Sequence, residues 1–175
     1  MLIELASLER QGGKFAHSYE PGELDLNEER ITIAEPPQVS GRIQQSDAKV
    51  SVSGKVEAKL QLECDRCLKA VSVPTSTEFK VEYITPEVYQ AGQAAELLDE
   101  DLTLSIFDGA VIDVDDLVRE QLLLALPAQV LCQDECKGLC PTCGGDKNLK
   151  NCNCQEAEID PRWAGLKDLV RQEHE

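Results

Sequence analysis

The sequence predicts an α+β fold: a mainly antiparallel sheet with one internal buried helix, a Cys-rich segment after it and a short C-terminal helix. Three observations predict it. Apolar and polar residues alternate for fifteen positions from Lys49 to Glu63, a capped apolar stretch runs from Asp113 to Pro127, and six of the eight cysteines fall within residues 132–154.

The alternation is the clearest signal. Val50, Val52, Val56, Ala58, Leu60 and Leu62 share one parity, broken only by Gly54, and polar or charged residues take the other. Period two places one face in a core and the other in water. A second alternating run, Val71 to Tyr83, follows the turn Cys64-Asp65-Arg66-Cys67-Leu68-Lys69-Ala70, so a long antiparallel hairpin is expected. Pro74 cannot donate to a ladder, which suggests a sheet edge there. Upstream, Lys14–Tyr19, Arg30–Ala34 and Val39–Gln45 read as separate strands, split by Pro21-Gly22 and Pro36-Pro37. Residues 85–101 read as a surface loop, and Leu102–Phe107 as a strand ended by Asp108-Gly109.

A helix should begin at Asp113. Its side chain can cap, Asp115 and Asp116 complement the N-terminal dipole, and Pro127 ends the segment. Leu117, Leu124 and the row Val118, Leu122, Ala125 make it largely buried. Asp160-Pro161 opens a short terminal helix whose face holds Trp163, Leu166, Leu169 and Val170. Residues 1–127 are thus expected to form the sheet-and-helix core. Residues 128–175 are expected to form the Cys-rich segment and terminal helix, packed on the same domain.

Composition bounds the function. With 42% hydrophobic and 29% charged residues, the chain is globular, and 4% aromatics leave the core to Val, Leu, Ile and Ala. The richest apolar run, Leu122–Leu126, is far short of the ~20 residues of a membrane helix. The N-terminus carries Glu4 and Glu9 and no basic leader, so a cytoplasmic location is expected. A net charge of −16 opposes generic nucleic-acid binding and suits a basic protein partner. Charge is uneven: Glu96–Glu120 holds nine acids and one base, whereas Gly41–Lys80 holds seven bases and five acids.

The cysteines are spaced Cys64-x2-Cys67, then Cys132-x3-Cys136-x3-Cys140-x2-Cys143-x8-Cys152-x-Cys154. A reducing cytosol disfavours disulfides. Paired thiols in tight turns suit tetrahedral Zn2+, with sulfur at ~2.3 Å. Cys140-Pro141-Thr142-Cys143-Gly144 has the form of a zinc knuckle, which Cys152 and Cys154 are near enough to complete. Cys64, Cys67, Cys132 and Cys136 would then hold a second ion, although Cys64 and Cys67 could instead join Cys140 and Cys143. Sixty-four residues separate Cys67 from Cys132, against eight between Cys143 and Cys152. Three doublings of loop length cost roughly 1.8 kcal/mol, small beside the ~10–16 kcal/mol of a structural zinc site. Loop length therefore neither excludes nor proves the long-range site.

Other chemistries fit less well. A thioredoxin-like role for Cys64 and Cys67 needs a helix N-terminus rather than a hairpin turn. An iron–sulfur cluster is less suited to scattered pairs and a knuckle glycine. Catalytic zinc usually keeps an open position and often uses histidine, but His17 and His174 lie far from the cysteines in sequence and read as surface residues. There is no phosphate loop and no nucleophile elbow. A non-enzymatic protein without a small-molecule substrate is expected.

Three segments together resemble the YceD family of large ribosomal RNA subunit accumulation proteins. They are Leu62-Glu63-Cys64-Asp65-Arg66-Cys67-Leu68, the stretch Asp113 to Pro127, and Leu131 through Gly144 with its four cysteines; the tail IDPRWAGLKDL is also similar. Residues 1–40 match only loosely. The resemblance implies a role in producing or stabilising large-subunit rRNA. It also implies a neighbourhood with a small basic large-subunit ribosomal protein, which an acidic chain could escort. If RNA is contacted directly, Arg66, Lys69 and Lys137 beside the cysteines are the candidates, and Trp163 is a candidate for docking a partner. Two tetrathiolate sites would take the charge from −16 to about −20, so RNA binding would be local and salt-sensitive. A zinc-ribbon adaptor between proteins outside the ribosome pathway is the alternative.

Overall fold

The computed structural model describes residues 1–7, 12–46, 49–92, 104–150, 152–154 and 162. It divides the chain into two compact units, Met1–Glu63 with Ala70–Val130, and Cys64–Lys69 with Leu131–Glu175. The fold is of the α+β kind, mainly sheet with few helices.

In the first unit, strands β2 (Gly13–Ser18), β3 (Ile31–Gln45), β4 (Val50–Glu63), β5 (Ala70–Ile84) and β6 (Leu104–Ile106) form one sheet in chain order. Pairing is antiparallel except between β5 and β6, which run parallel. The long hairpin is β4 with β5, in register from Val50↔Tyr83 to Glu63↔Ala70. Among described residues β6 covers β5 only from Glu82 to Ile84, so Pro74 lies on an otherwise open edge. A second, two-stranded sheet pairs β1 (Leu2–Glu4) with β7 (Val111–Asp113), two strands too short to show a period in sequence. A 3-10 turn, Leu5–Ser7, follows β1.

Three sequence expectations are corrected. Arg30–Ala34 and Val39–Gln45 are one continuous strand, β3, which passes through Pro36 and Pro37 with register shifts between Ile33 and Glu35 and between Glu35 and Gln38. The prolines lack N–H groups, and the irregularities carry the strand past the missing ladder bonds. Pro37 is buried, and its carbonyl accepts from Tyr19 N at 3.0 Å. Within the expected loop 85–101, Pro86–Gly92 forms helix α1, opened by proline at its first position.

The third correction concerns helix α2 (Val114–Leu124). Asp113 caps it as expected, its Oδ1 accepting from Asp115 N at 2.9 Å and Asp116 N at 3.3 Å. Val114, Leu117, Val118 and Leu122 are buried, but Leu124 is 72% exposed. At 100° per residue Leu124 lies only about 20° from buried Leu117, so its exposure follows from its place as the last residue of the helix and not from its face. The four buried residues join Val39, Ile43, Val52, Val56, Leu60 and Phe79 in one core with Leu24, Leu26 and Ile112. Tyr19 OH donates to Asp115 Oδ1 at 2.7 Å, tying the end of β2 to the first turn of α2. No helix among the described residues is long and apolar enough to cross a membrane. The expected terminal helix and Trp163 lie outside the described residues.

The gap at Gly54 in the apolar pattern has a packing cause. Phe15↔Gly41, Gly41↔Gly54 and Gly54↔Phe79 are successive partners across four strands. A Cβ on Gly41 would lie 2.7 Å from the Phe15 ring, and one on Gly54 would lie 2.4 Å from Ser40 O and 3.0 Å from the Phe79 ring. Each ring occupies the space its partner glycine vacates, the arrangement that rescues glycine in sheets. Gly54→Val is therefore expected to lower stability by about 1–3 kcal/mol through overpacking. Urea denaturation measures this, and an unchanged midpoint would contradict it.

Candidate metal centre

The site is built from two tight turns of the same design. In the turn between β4 and β5, Cys64 N donates to Lys69 O at 2.8 Å and Leu68 N donates to Cys64 O at 2.9 Å. In the second, Cys140 N donates to Gly145 O at 2.8 Å and Gly144 N donates to Cys140 O at 2.8 Å. The residue after each Cys-x2-Cys turns left-handed: Gly144 at φ +70°, Leu68 at φ +59°. Glycine enters that region freely, whereas a leucine there carries about 1–2 kcal/mol of strain. Leu68 is also 55% exposed, so packing within the chain does little to offset that strain.

These turns and the arm Leu131–Lys137 gather the eight cysteines into two quartets. Cys64, Cys67, Cys132 and Cys136 lie with their sulfurs within 4.8 Å of one another, as do Cys140, Cys143, Cys152 and Cys154. This is the partition into a long-range and a local set, not the alternative that joins Cys64 and Cys67 to Cys140 and Cys143. Within the first quartet, Cys67 and Cys132 sulfurs are 3.5 Å apart and those of Cys64 and Cys136 are 3.8 Å apart. A tetrahedral ion with metal–sulfur bonds of ~2.3 Å requires sulfur–sulfur edges of about 3.8 Å. A disulfide needs about 2.05 Å, and all eight cysteines are free.

Hydrogen bonding prepares the sulfurs for negative charge. Burial raises the Cys64 thiol, but the amides of Arg66, Cys67 and Cys132 outweigh it and bring it down to about 6. The Cys132 amide reaches Cys64 Sγ at 3.4 Å. Amides of Cys143 and Thr142 likewise hold Cys140 at about 6. One partner in each quartet moves the opposite way. The bond shared with Cys67 pushes Cys132 up to about 12, and that with Cys143 pushes Cys154 up to about 12. Neighbouring thiolates repel, so each quartet keeps protons until a cation neutralises it. Donor type, spacing and amide support all fit a soft or borderline divalent metal.

The candidate contact residues occupy different settings. The Arg66 guanidinium donates to Cys136 O at 2.8 Å, while Arg66 O accepts from Leu139 N at 3.0 Å. Lys69 pairs with Asp146 at 2.9 Å. Lys137 is exposed, and its backbone N donates to Asn148 Oδ1 at 2.8 Å. His17 belongs to the first unit, its Nε2 2.9 Å from Glu23 Oε1. Several cations of Gly41–Lys80 are matched by acids on the sheet: Lys49 and Lys80 with Glu82, Lys55 with Glu57, Lys59 with Glu35.

Sequence reasoning missed Gly138, Asp146 and Asn148. Gly138 sits at φ +70° against Arg66, where a Cβ would come within 2.8 Å of the carbonyl oxygen. The Asn148 amide donates to Cys136 Sγ at 3.4 Å, and Asp146 Oδ1 accepts from Asn148 N at 2.8 Å. Superposing the two Cys-x2-Cys turns in sequence would have marked Leu68 as the residue in glycine's place.

Comparison with known proteins agrees with this geometry. The family model for the large ribosomal RNA subunit accumulation protein YceD matches residues 52–170, which include all eight cysteines. The chain belongs to the YceD family. Among its relatives, YlbN of Bacillus subtilis is 28% identical over 99% of this chain and 97% of its own length. Rv2926c of Mycobacterium tuberculosis is 27% identical over 99% of this chain and 83% of its own. A chloroplastic Arabidopsis thaliana protein, named large ribosomal RNA subunit accumulation protein YCED homolog 1, is 31% identical over 35% of this chain and 19% of its own length. No solved structure matches. The YceD match thus spans both quartets and the hairpin that delivers the first of them.

Two outcomes are expected. Cys67 is raised although the Lys69 amide pulls it down, because burial and the Cys64 and Cys136 thiols outweigh that amide. Protons on Cys67 and Cys132 must leave before an ion takes all four sulfurs, so affinity should rise with pH and fall on acidification. Metal titration against a competing chelator from pH 6 to 8 tests this, and a flat profile would contradict it. Leu68→Gly should be neutral or stabilising by up to about 1 kcal/mol, since relief of strain outweighs glycine's chain entropy. Leu68→Val should lose about 1–2 kcal/mol at the same position. Equal melting temperatures for the two variants would contradict the strain argument.

Proposed function

We propose that this chain is a non-enzymatic zinc protein that supports the accumulation of large-subunit ribosomal RNA. Family membership supplies the ribosomal part of the reading. The observation that carries the chemistry is the pair of all-cysteine quartets. Four thiolates favour zinc among common divalent ions, and four protein ligands leave no open coordination position for catalysis. Zinc here is structural: it fixes the turn between β4 and β5, the arm around Cys132 and the terminal cysteines as one surface. Reduced thiols at all eight positions suit a cytoplasmic protein.

The partner we favour is a basic large-subunit ribosomal protein, escorted until it meets its rRNA. A charge of −16, deepened to about −20 by two tetrathiolate sites, attracts such a protein and repels phosphate. Direct contact with precursor rRNA is the second form of the reading. It draws on exposed Lys137 beside the first quartet, and it requires binding that weakens steeply with salt.

Depletion of the protein should lower the large subunit relative to the small one in sucrose gradients, with a shortfall of large-subunit rRNA. Complementation by a chain carrying Cys64→Ser and Cys67→Ser should fail. Normal large-subunit levels on depletion would overturn the ribosomal reading and favour an adaptor elsewhere in the cell. Affinity capture should recover a basic ribosomal protein, and recovery of rRNA fragments without one would replace the escort by direct RNA contact.

A further inference from the structure

The loop between Cys143 and Cys152 belongs to the segment closed by the second quartet, yet its side chains serve the first. Asn148 Nδ2 donates to Cys136 Sγ at 3.4 Å. Its Oδ1 accepts from Lys137 N at 2.8 Å and from Gln133 Nε2 at 3.2 Å, both on the arm that carries Cys132 and Cys136. Asp146 Oδ1 accepts from Asn148 N at 2.8 Å and from its Nδ2 at 2.7 Å. A backbone donor on one side and a carboxylate on the other fix which end of the amide faces the sulfur. Asp146 Oδ2 meets Lys69 Nζ at 2.9 Å, two residues beyond Cys67. One short loop thus touches both arms of the long-range quartet. Lys147 N to Gly138 O, at 3.0 Å, and the Leu139–Asp146 bridge anchor its near end.

We infer that this loop couples the two metal sites, so that filling the Cys140, Cys143, Cys152 and Cys154 quartet prepares the Cys64, Cys67, Cys132 and Cys136 quartet. The inference rests on the metal-binding reading above. The second quartet draws all its ligands from residues 140–154 and can close without the rest of the fold. Once an ion holds Cys143 and Cys152, the eight residues between them are confined, and Asn148 and Asp146 are presented in place. Without that ion, the first quartet must order the loop itself when it binds, and its affinity falls accordingly. Linkage makes the effect reciprocal: an ion in the first quartet tightens the second by the same factor. Asn148 and Asp146 act as positioning residues in this scheme, and neither is a ligand.

The test is a Co2+ titration of the full chain, read by the thiolate-to-metal absorption bands, with Cys64 and Cys67 amide NMR signals reporting the first quartet. In Cys152→Ser/Cys154→Ser the first quartet should bind Co2+ about tenfold more weakly. Asn148→Ala, which retains all eight thiols, should still take two ions, with the first quartet weakened by a similar factor. Combining Asn148→Ala with the serine pair should add little, because the strap is already released. Unchanged first-quartet affinity in Asn148→Ala would overturn the coupling while leaving two metal sites in place. Full additivity in the combination would overturn it as well. A chain that takes up no Co2+ would instead remove the metal reading, and the coupling with it.

Discussion

Eight sulfurs held in two clusters, each within 4.8 Å, set an electrostatic constraint that the surrounding structure answers. Thiolates at such distances repel, and proton affinities within the first quartet split: against burial, backbone amides bring Cys64 down to about 6, while the bond shared with Cys67 pushes Cys132 up to about 12. The chain meets the constraint partly with its backbone. Tight turns aim amides at the sulfurs, and the price is left-handed backbone at Leu68, Gly138 and Gly144. The divalent cation we propose for each quartet would neutralise the remaining charge. Removing one cysteine of a quartet leaves three thiols arranged for an ion they hold poorly, so loss should propagate to the other three.

Sequence register organises the sheet. Strict alternation in β4 fixes which face is buried, and the full register of β4 with β5 ends at Glu63↔Ala70. The turn that follows begins with Cys64, which is itself buried. A slip of one residue would invert the core face. The Phe15–Gly41–Gly54–Phe79 row opposes such a slip, because only that pairing puts rings over glycines.

Much of this was legible in the sequence, for physical reasons that differ by element. The β4–β5 hairpin shows because half-buried strands impose period two, and α2 shows because Asp113 and Pro127 punctuate it. The cysteine partition is legible only in part: Cys152 lies near enough to Cys143 to complete a local set, but spacing leaves Cys64 and Cys67 able to join Cys140 and Cys143 instead. β3 was read as two strands because proline is a sound breaker unless a bulge intervenes, and a bulge has no composition of its own. β1, β7 and α1 are too short for periodicity to register. Leu124 reads as buried because it shares a face with Leu117, but its place at the end of α2 leaves it exposed. Asp146 and Asn148 were invisible because their role depends on a sulfur reached only after folding, and polar residues in a Gly-rich turn ordinarily face solvent.

We propose each quartet as a closed, all-sulfur site for one zinc ion. X-ray absorption at the zinc edge of the purified chain, with elemental analysis of the same sample, tests it most directly. Two zinc ions per chain, each with four sulfur neighbours at ~2.3 Å and no nitrogen or oxygen, is the expected result. A first shell containing oxygen or nitrogen, fewer than two ions per fully reduced chain, or cystines formed within the quartets would contradict it.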